Sequence, residues 1–420
     1  MASTMKQAAT TVNTNTVTLA IAMATTLAMA NIVVTLKNKK RLVNITTMNR
    51  HRHYSTSPLI SLRVRPRPDS RCPSMGIHPI FLLYVSRSGS TFFASQLARR
   101  SSDVVVLPEL DVVNLLCDVG DDQLQAMSSR EIAQFVELDE RFKQLGVATK
   151  ELQDQIEARG SHQVIDLLSA IGQVYAGRCG KPAARFAMYQ RGNILSVADQ
   201  LCPSSEMPTR FIHLFRDPRG CLNSIQNVRR RQTTHYDRRR IGRCDAAGIA
   251  KAWNRYVQNV GKLDTHPAAR VLEIRYEQLC RDLPAELQRC AGFLNVPFAS
   301  RQSRRCSESV VSADAQEIHE NIDEQVIASR ADAWRRELSG SDVAIVESIA
   351  AAEMKRHGYA VIGSDGNVLS KLQLVVALAK SSVITASIRF KTLLHACSSP
   401  TQFRLHWRHY RRRLEGARNV

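Results

Sequence analysis

Two short segments combine small hydroxyl residues, glycine and arginine in a way suited to holding anions. The first reads Phe81-Leu82-Leu83-Tyr84-Val85-Ser86-Arg87-Ser88-Gly89-Ser90-Thr91-Phe92. An apolar run leads into a loop of small residues and then into a sequence able to start a helix. In such a turn the backbone N–H groups point at one spot, and the helix N-terminus adds positive partial charge. Gly89 permits close backbone approach, and Ser90 and Thr91 supply hydroxyl donors. A plain strand-to-helix turn has the same outline. The second segment reads Phe211-Ile212-His213-Leu214-Phe215-Arg216-Asp217-Pro218-Arg219-Gly220-Cys221-Leu222-Asn223-Ser224. Pro218 suits the first turn of a helix that Asp217 caps. Arg216 ends the strand and Ser224 lies further along the helix, so both can converge on a second phosphate, for which the guanidinium fork is well shaped. Two anion sites at two strand ends imply a ligand with two separated phosphate groups. The triphosphatase pattern GxxxxGK[ST] is absent, which counts against a kinase.

These segments need strands to present them. Apolar runs predict strands at Pro79–Val85, Val104–Leu107, Ala184–Met188, Thr209–Phe215 and Val271–Ile274. Helices are expected from about Thr91, after the second motif through Arg230, over Ala247–Val260, and on to about Leu294. The segments 121–176 and 324–357 read as mostly helical. Strands alternating with helices argue for an α/β fold with a parallel sheet and crossover connections. Trp253, on an amphipathic helix, reads first as a core residue and second as a stacking surface for a base.

The two motifs, in this order, resemble the 5′-phosphosulfate loop and 3′-phosphate motif of membrane-associated carbohydrate-type sulfotransferases, enzymes that use 3′-phosphoadenosine-5′-phosphosulfate (PAPS). The likeness extends to Tyr276-Glu277-Gln278-Leu279, to Phe293-Leu294, to Trp334-Arg335-Arg336-Glu337-Leu338 and to Gly358-Tyr359, and covers about residues 78–360. It implies a P-loop-like parallel central sheet of about five strands flanked by helices. It implies that Arg87, Ser88, Gly89, Ser90, Thr91 and Phe92 hold the 5′-phosphosulfate and that Arg216 and Ser224 hold the 3′-phosphate. No metal is expected, because arginine and backbone dipoles take its place, and the product would be 3′-phosphoadenosine-5′-phosphate. Relatives carry a Glu just after the second strand; here Glu109 stands in that place, with Asp111 as the alternative carboxylate. Glu109 would act as the base that removes the acceptor proton, and Arg87 would stabilise the leaving oxygen. A surface Glu capping the next helix is the competing account of Glu109. One departure concerns the K-x-P element of many relatives, where this chain reads Met188-Tyr189-Gln190-Arg191-Gly192-Asn193. It leaves open the acceptor, a carbohydrate or other small molecule sulfated on a hydroxyl or amine. It also leaves open a membrane-tethered, sulfotransferase-like binding protein without turnover.

The charge is unevenly spread. The chain has 420 residues and a formal net charge of +20, yet residues 72–370 hold 37 bases against 36 acids. The excess lies in 37–71 and 371–420, each with ten bases and one acid. A neutral core without a recognition motif argues against a nucleic-acid reader, and basic flanks suit a membrane surface or another polyanion. Solvated tails without a partner have the same composition. Thr16–Leu36 has no charged residue and is long enough to span a bilayer. A retained single-pass anchor is the reading taken, with a cleaved signal peptide ending near Ala28-Met29-Ala30 or a transit leader as alternatives. Lys37, Lys39, Lys40 and Arg41 put the following chain on the cytoplasmic side, whereas the sequon Asn44-Ile45-Thr46 has meaning only in a lumen. The resemblance favours the Golgi, with a bacterial membrane, secretion or another organelle as alternatives. The resulting organisation is 1–36 anchor or signal, 37–77 basic stem, 78–365 catalytic domain and 366–420 basic helical extension.

Leu372–Leu394 spaces apolar residues with Lys380, Arg389 and Lys391, as a helix lying on a membrane or packed on the domain would. The seven arginines between Arg229 and Arg243 suit either a mouth for an anionic acceptor or an exposed loop. The ten cysteines contain no CxxC pair and no zinc-type cluster, and their spacing fixes no pairing. Nothing in the sequence sets the oligomeric state.

Overall fold

The computed structural model describes residues 76–190, 197–231, 245–298, 330–362 and 371–397. The anchor, the stem, Arg191–Asn193, most of the arginine-rich loop and the tail after Cys397 lie outside the described residues. Two compact units emerge: described residues through Leu378 belong to one, and Ala379–Cys397 to the other.

The first unit is built on a five-stranded parallel sheet of order β2-β3-β1-β4-β5. The strands are β1 His78–Tyr84, β2 Val104–Val106, β3 Phe186–Gln190, β4 Thr209–Phe215 and β5 Ala269–Arg275. Ile80 pairs with both Met188 of β3 and Arg210 of β4, so β1 is the central strand. The third strand begins later than its apolar run suggests. Ala184 closes a turn on the Lys181 carbonyl at 2.9 Å, and the chain joins the sheet only at Arg185 and Phe186, whose N–H groups both donate to the Asp103 carbonyl, at 2.8 and 2.9 Å. The fifth strand is longer at both ends, because β4 offers it a partner over its whole length.

Both faces of the sheet are covered, as an all-parallel sheet requires. On one face Phe81, Leu83, Val105, Ala187, Tyr189 and Phe211 pack against the helices α2 Val112–Val119, α3 Asp121–Gln125, α4 Ser129–Val136, α5 Glu140–Lys143, α6 Thr149–Arg159 and α7 Val164–Arg178. Helix α7 lies close on β3 because Gly172 has no side chain; a Cβ there would stand 2.5 Å from that of Ala187. On the other face Ile80, Leu82, Val104, Phe186, Ile212 and Ile274 meet Phe93 and Leu97 of α1 Ser90–Arg100. A short helix α8, Ala198–Leu201, precedes β4. Beyond it a third core joins Phe215 to Leu222 of α9 Pro218–Arg231, Trp253 of α10 Ala246–Val260, and later residues Val346 and Met354.

After β5 come α11 Tyr276–Arg281 and α12 Leu283–Leu294, then α13 Trp334–Glu337 and α14 Gly340–Arg356, and finally α15 Lys371–Cys397. Among the described residues no helix is long and apolar enough to cross a membrane.

Strand order decides where a ligand can enter. From β1 the chain builds β2 and β3 on one side and then β4 and β5 on the other, so connections diverge at the β1–β4 boundary. Such a switch point opens a crevice at the carboxyl ends of adjacent strands. The segments leaving β1 and β4 there are Val85–Gly89 and Arg216–Asp217, the turns of the two motifs.

Candidate active site

The β1 turn is held in an unusual conformation. Arg87 has φ 71° and Gly89 φ 85°, both left-handed. For arginine that backbone costs about 1–2 kcal/mol, so surrounding contacts must impose it. Ser88 supplies one: it is fully buried, with its N–H 3.1 Å and its hydroxyl 2.7 Å from the Val85 carbonyl. Its hydroxyl therefore locks the turn in this structure. Gly89 caps α1 without any side-chain hydrogen bond, and the first turn has no acidic residue. The N–H groups of Ser90, Thr91 and Phe92 stand at that end, with Ser90 buried and Thr91 and Phe92 half-buried.

The β4 turn is braced rather than strained. The Asp217 carboxylate accepts from the Arg219 N–H at 2.8 Å, the expected cap for a helix opening with proline. Asp217 also receives the Arg219 guanidinium at 2.6 Å, and Glu347 of α14 binds the same guanidinium from the other side. The Arg219 guanidinium carbon sits over Trp334, 3.9 Å from the ring centre. Glu337 accepts from Asn223 at 2.8 Å and Asn227 at 2.6 Å, tying α13 to the side of α9. Those bonds hold the Glu337 carboxyl below its ordinary range.

Arg87 and Ser224 meet: the Arg87 Nε donates to the Ser224 hydroxyl at 3.3 Å, bridging the two motifs. Arg216 does not reach Ser224. It is 5% exposed, and its two Nη groups donate to main-chain carbonyls, of Arg87 at 3.1 Å and of Arg330 at 2.9 Å. Its Nε is buried without a partner, against Gly220, where a Cβ would come within 2.8 Å. Arg216 thus ties the β1 turn to residue 330 and leaves one inward N–H unmet. Among the described residues neither arginine forms an ion pair with a carboxylate. Burial first, and then the Arg216 charge, lowers the Arg87 pKa from the usual guanidinium value. Two neighbouring cations, Arg216 buried and Arg87 half-buried, beside an uncapped helix N-terminus favour bound anions.

Tyr276 is the residue that motif reading left without a role. Its ring lies under the β1 turn, where a Cβ at Gly89 would come within 2.6 Å, and the Arg216 guanidinium stacks on it 4.1 Å from the centre. Burial pushes its hydroxyl up to about 12. Its neighbour Glu277 accepts from the Asp217 N–H at 2.9 Å and the Tyr359 hydroxyl at 3.0 Å. Trp253 is fully buried and donates to the Arg216 carbonyl at 2.9 Å, a core residue that fixes the turn from below.

Glu109 follows β2 and is exposed. The Tyr84 hydroxyl, at the end of β1, donates to its carboxylate, and Arg141 donates to its carbonyl at 3.1 Å. It does not cap α2: Asp111 occupies the cap position, and the carboxylate that meets the helix end is Asp139, which accepts from the Asp111 and Val112 N–H groups at 2.6 and 2.9 Å. Gln190 is buried and donates to the Leu107 carbonyl at 2.8 Å, so it fastens β3 to the strand end before Glu109. Among the described residues no group of His, Cys, Asp and Glu is arranged to hold a metal ion.

Known proteins give this geometry a context. No curated protein sequence matches the chain. Among solved structures it is similar to the sulfotransferase domain from the curacin biosynthetic pathway, at 19% identity and TM-score 0.43, over 68% of this chain and 100% of that domain. It is also similar to the sulfotransferase domain of the Synechococcus PCC 7002 olefin synthase, at 19% identity and TM-score 0.40, over 67% of this chain and 96% of that domain. The model of the Sulfotransferase family matches residues 79–300, more than half of the chain and both motif turns. The chain belongs to the sulfotransferase family.

Proposed function

We propose that this protein transfers the sulfuryl group of PAPS to a hydroxyl or amine of a carbohydrate or other small-molecule acceptor. The observation that carries the reading is the Arg87–Ser224 bridge at the switch point, beside the uncapped N-terminus of α1 and, among the described residues, with no carboxylate pairing Arg87 or Arg216. The residues fit a ligand with two phosphate groups: N–H donors at the uncapped start of α1, Arg87 bonded to Ser224, and the Arg216 Nε still without a partner. When bound, PAPS supplies a sulfuryl group on a phosphate leaving group. Glu109 takes the acceptor proton, held in place by the Tyr84 hydroxyl and Arg141. Arg87 and the α1 N–H groups stabilise the charge that develops on the departing phosphate oxygen, donors that need no reorganisation during reaction. We place the chain on a membrane through residues 16–36, with a Golgi location favoured by the carbohydrate-type resemblance.

The test is a calorimetric titration of the full chain with 3′-phosphoadenosine-5′-phosphate, beside Arg87→Ala, Arg216→Ala and Ser224→Ala. Binding that weakens at least tenfold in Arg87→Ala and Ser224→Ala, with melting temperature kept, supports the donor site, since a hydrogen bond to a charged group is worth about 1.5–3 kcal/mol. No binding by folded wild-type chain removes the PAPS reading. Binding without transfer to any acceptor favours a tethered relative that has lost turnover.

A further inference from the structure

We propose that helix α15 docks on an anionic lipid bilayer, lying in its interface, as a membrane contact separate from the N-terminal apolar segment. Among the described residues eight large apolar side chains are exposed, and five of them stand on this one helix. Four form a stripe: Leu372 is 71% exposed, Val375 60%, Val376 57% and Val383 65%. Their spacing of three, four and seven, with exposed Ala379 between, puts them along one side of the helix. On the opposite side Ser381 is buried and Leu374, Leu378 and Ile384 are half-buried; the fifth exposed residue, Ile388 at 40%, lies on that side further along.

Charge selects the occupant. The helix holds no acidic residue over its whole length. On the helical repeat the backbone positions of Lys371 and Arg389 run along one margin of the apolar stripe, and those of Lys380 and Lys391 along the other. Bases flanking an apolar stripe on both sides let the stripe enter the acyl boundary while long basic stems reach the headgroups. Residues 371–420 together carry ten bases and one acid, so the attraction is to negative lipid. A nucleic acid would use the charge and leave the stripe in water; a second copy would meet like charge. The helix is too polar to span, which makes the interface its place.

The experiment uses the full chain with Val383→Cys carrying an environment-sensitive fluorophore, and the identically treated wild type as blank. The probe reports on this helix whatever the N-terminal segment does. Vesicles of phosphatidylcholine with phosphatidylserine are expected to shift its emission to the blue, and vesicles of phosphatidylcholine alone to do so far less. Neutralising Lys380, Arg389 and Lys391 to Gln is expected to weaken that response on the order of a hundredfold, from about fivefold per base. Leu372→Asp with Val376→Asp should abolish it while leaving affinity for 3′-phosphoadenosine-5′-phosphate unchanged. An unshifted probe on chain that sediments with anionic vesicles overturns the proposal. So does a blue shift that depends on protein concentration without vesicles, the mark of a second copy. Should the Asp variant fail to fold, the Gln variant decides alone: an unchanged response overturns the proposal.

Discussion

Replacing Arg219 by Met tests whether the brace beneath the β4 turn holds the site together. The guanidinium is 1% exposed and meets two carboxylates, Asp217 at 2.6 Å and Glu347, whose own side chains are 6% and 7% exposed. Methionine reproduces the side chain only as far as the arginine Nε and removes the guanidinium that lies over Trp334, so some packing is lost together with the charge. What changes is that two buried carboxylates lose their shared cation. Breaking a buried pair from one side costs about 3–5 kcal/mol. For a domain of this size 1 kcal/mol moves the melting temperature by about 2–4 °C, so a fall of roughly 6–20 °C is expected. The assay is thermal melting at pH 7 of wild type, Arg219→Met, Glu347→Gln and the double variant. The two losses should not add, because Glu347→Gln has already removed half of the negative charge that Arg219 neutralises. A fall below about 3 °C in Arg219→Met, or full additivity in the double variant, would refute the reasoning and reduce the cluster to a surface-like ion pair.

Glu109→Gln should lose about 10²–10⁴-fold in turnover with affinity for 3′-phosphoadenosine-5′-phosphate kept, and Tyr84→Phe should shift the pH–rate profile with a smaller loss; near-normal turnover in Glu109→Gln excludes it as the base. Gly89→Ala adds a Cβ at φ 85°, 2.6 Å from the Tyr276 ring, and should weaken that nucleotide at least tenfold by calorimetry. Burial holds the Glu277 carboxyl above its ordinary range. The native state therefore binds this proton more readily than the unfolded chain, and stability from this group rises as pH falls through the raised value. Stability of the wild type relative to Glu277→Gln should increase on acidification from pH 7 toward 4.5, and a decrease would contradict the burial argument.

The sequence by itself determined the strands, the two turns and the family, because these depend on local patterns. An apolar run ending in R-S-G-S-T or R-D-P-R dictates a strand, a tight turn and a helix start, and the small residues, proline and cap make that order hard to build otherwise. It did not determine which arginine meets Ser224. The sequence puts Arg87 in one motif and Ser224 in the other without linking them; the bond between them arises because β1 and β4 are neighbours and Arg87 sits in a left-handed turn at that boundary. Nor did it show that Tyr276 lies under Gly89, that Glu277 and Tyr359 join at Asp217, or that Glu337 holds Asn223 and Asn227. Those residues belong to motifs far apart in the chain, and their partners are chosen by strand order and by which helices share the third core. Local chemistry is written in neighbouring residues; the pairing of distant buried polar groups is decided only when packing leaves each of them one place to satisfy its hydrogen bonds.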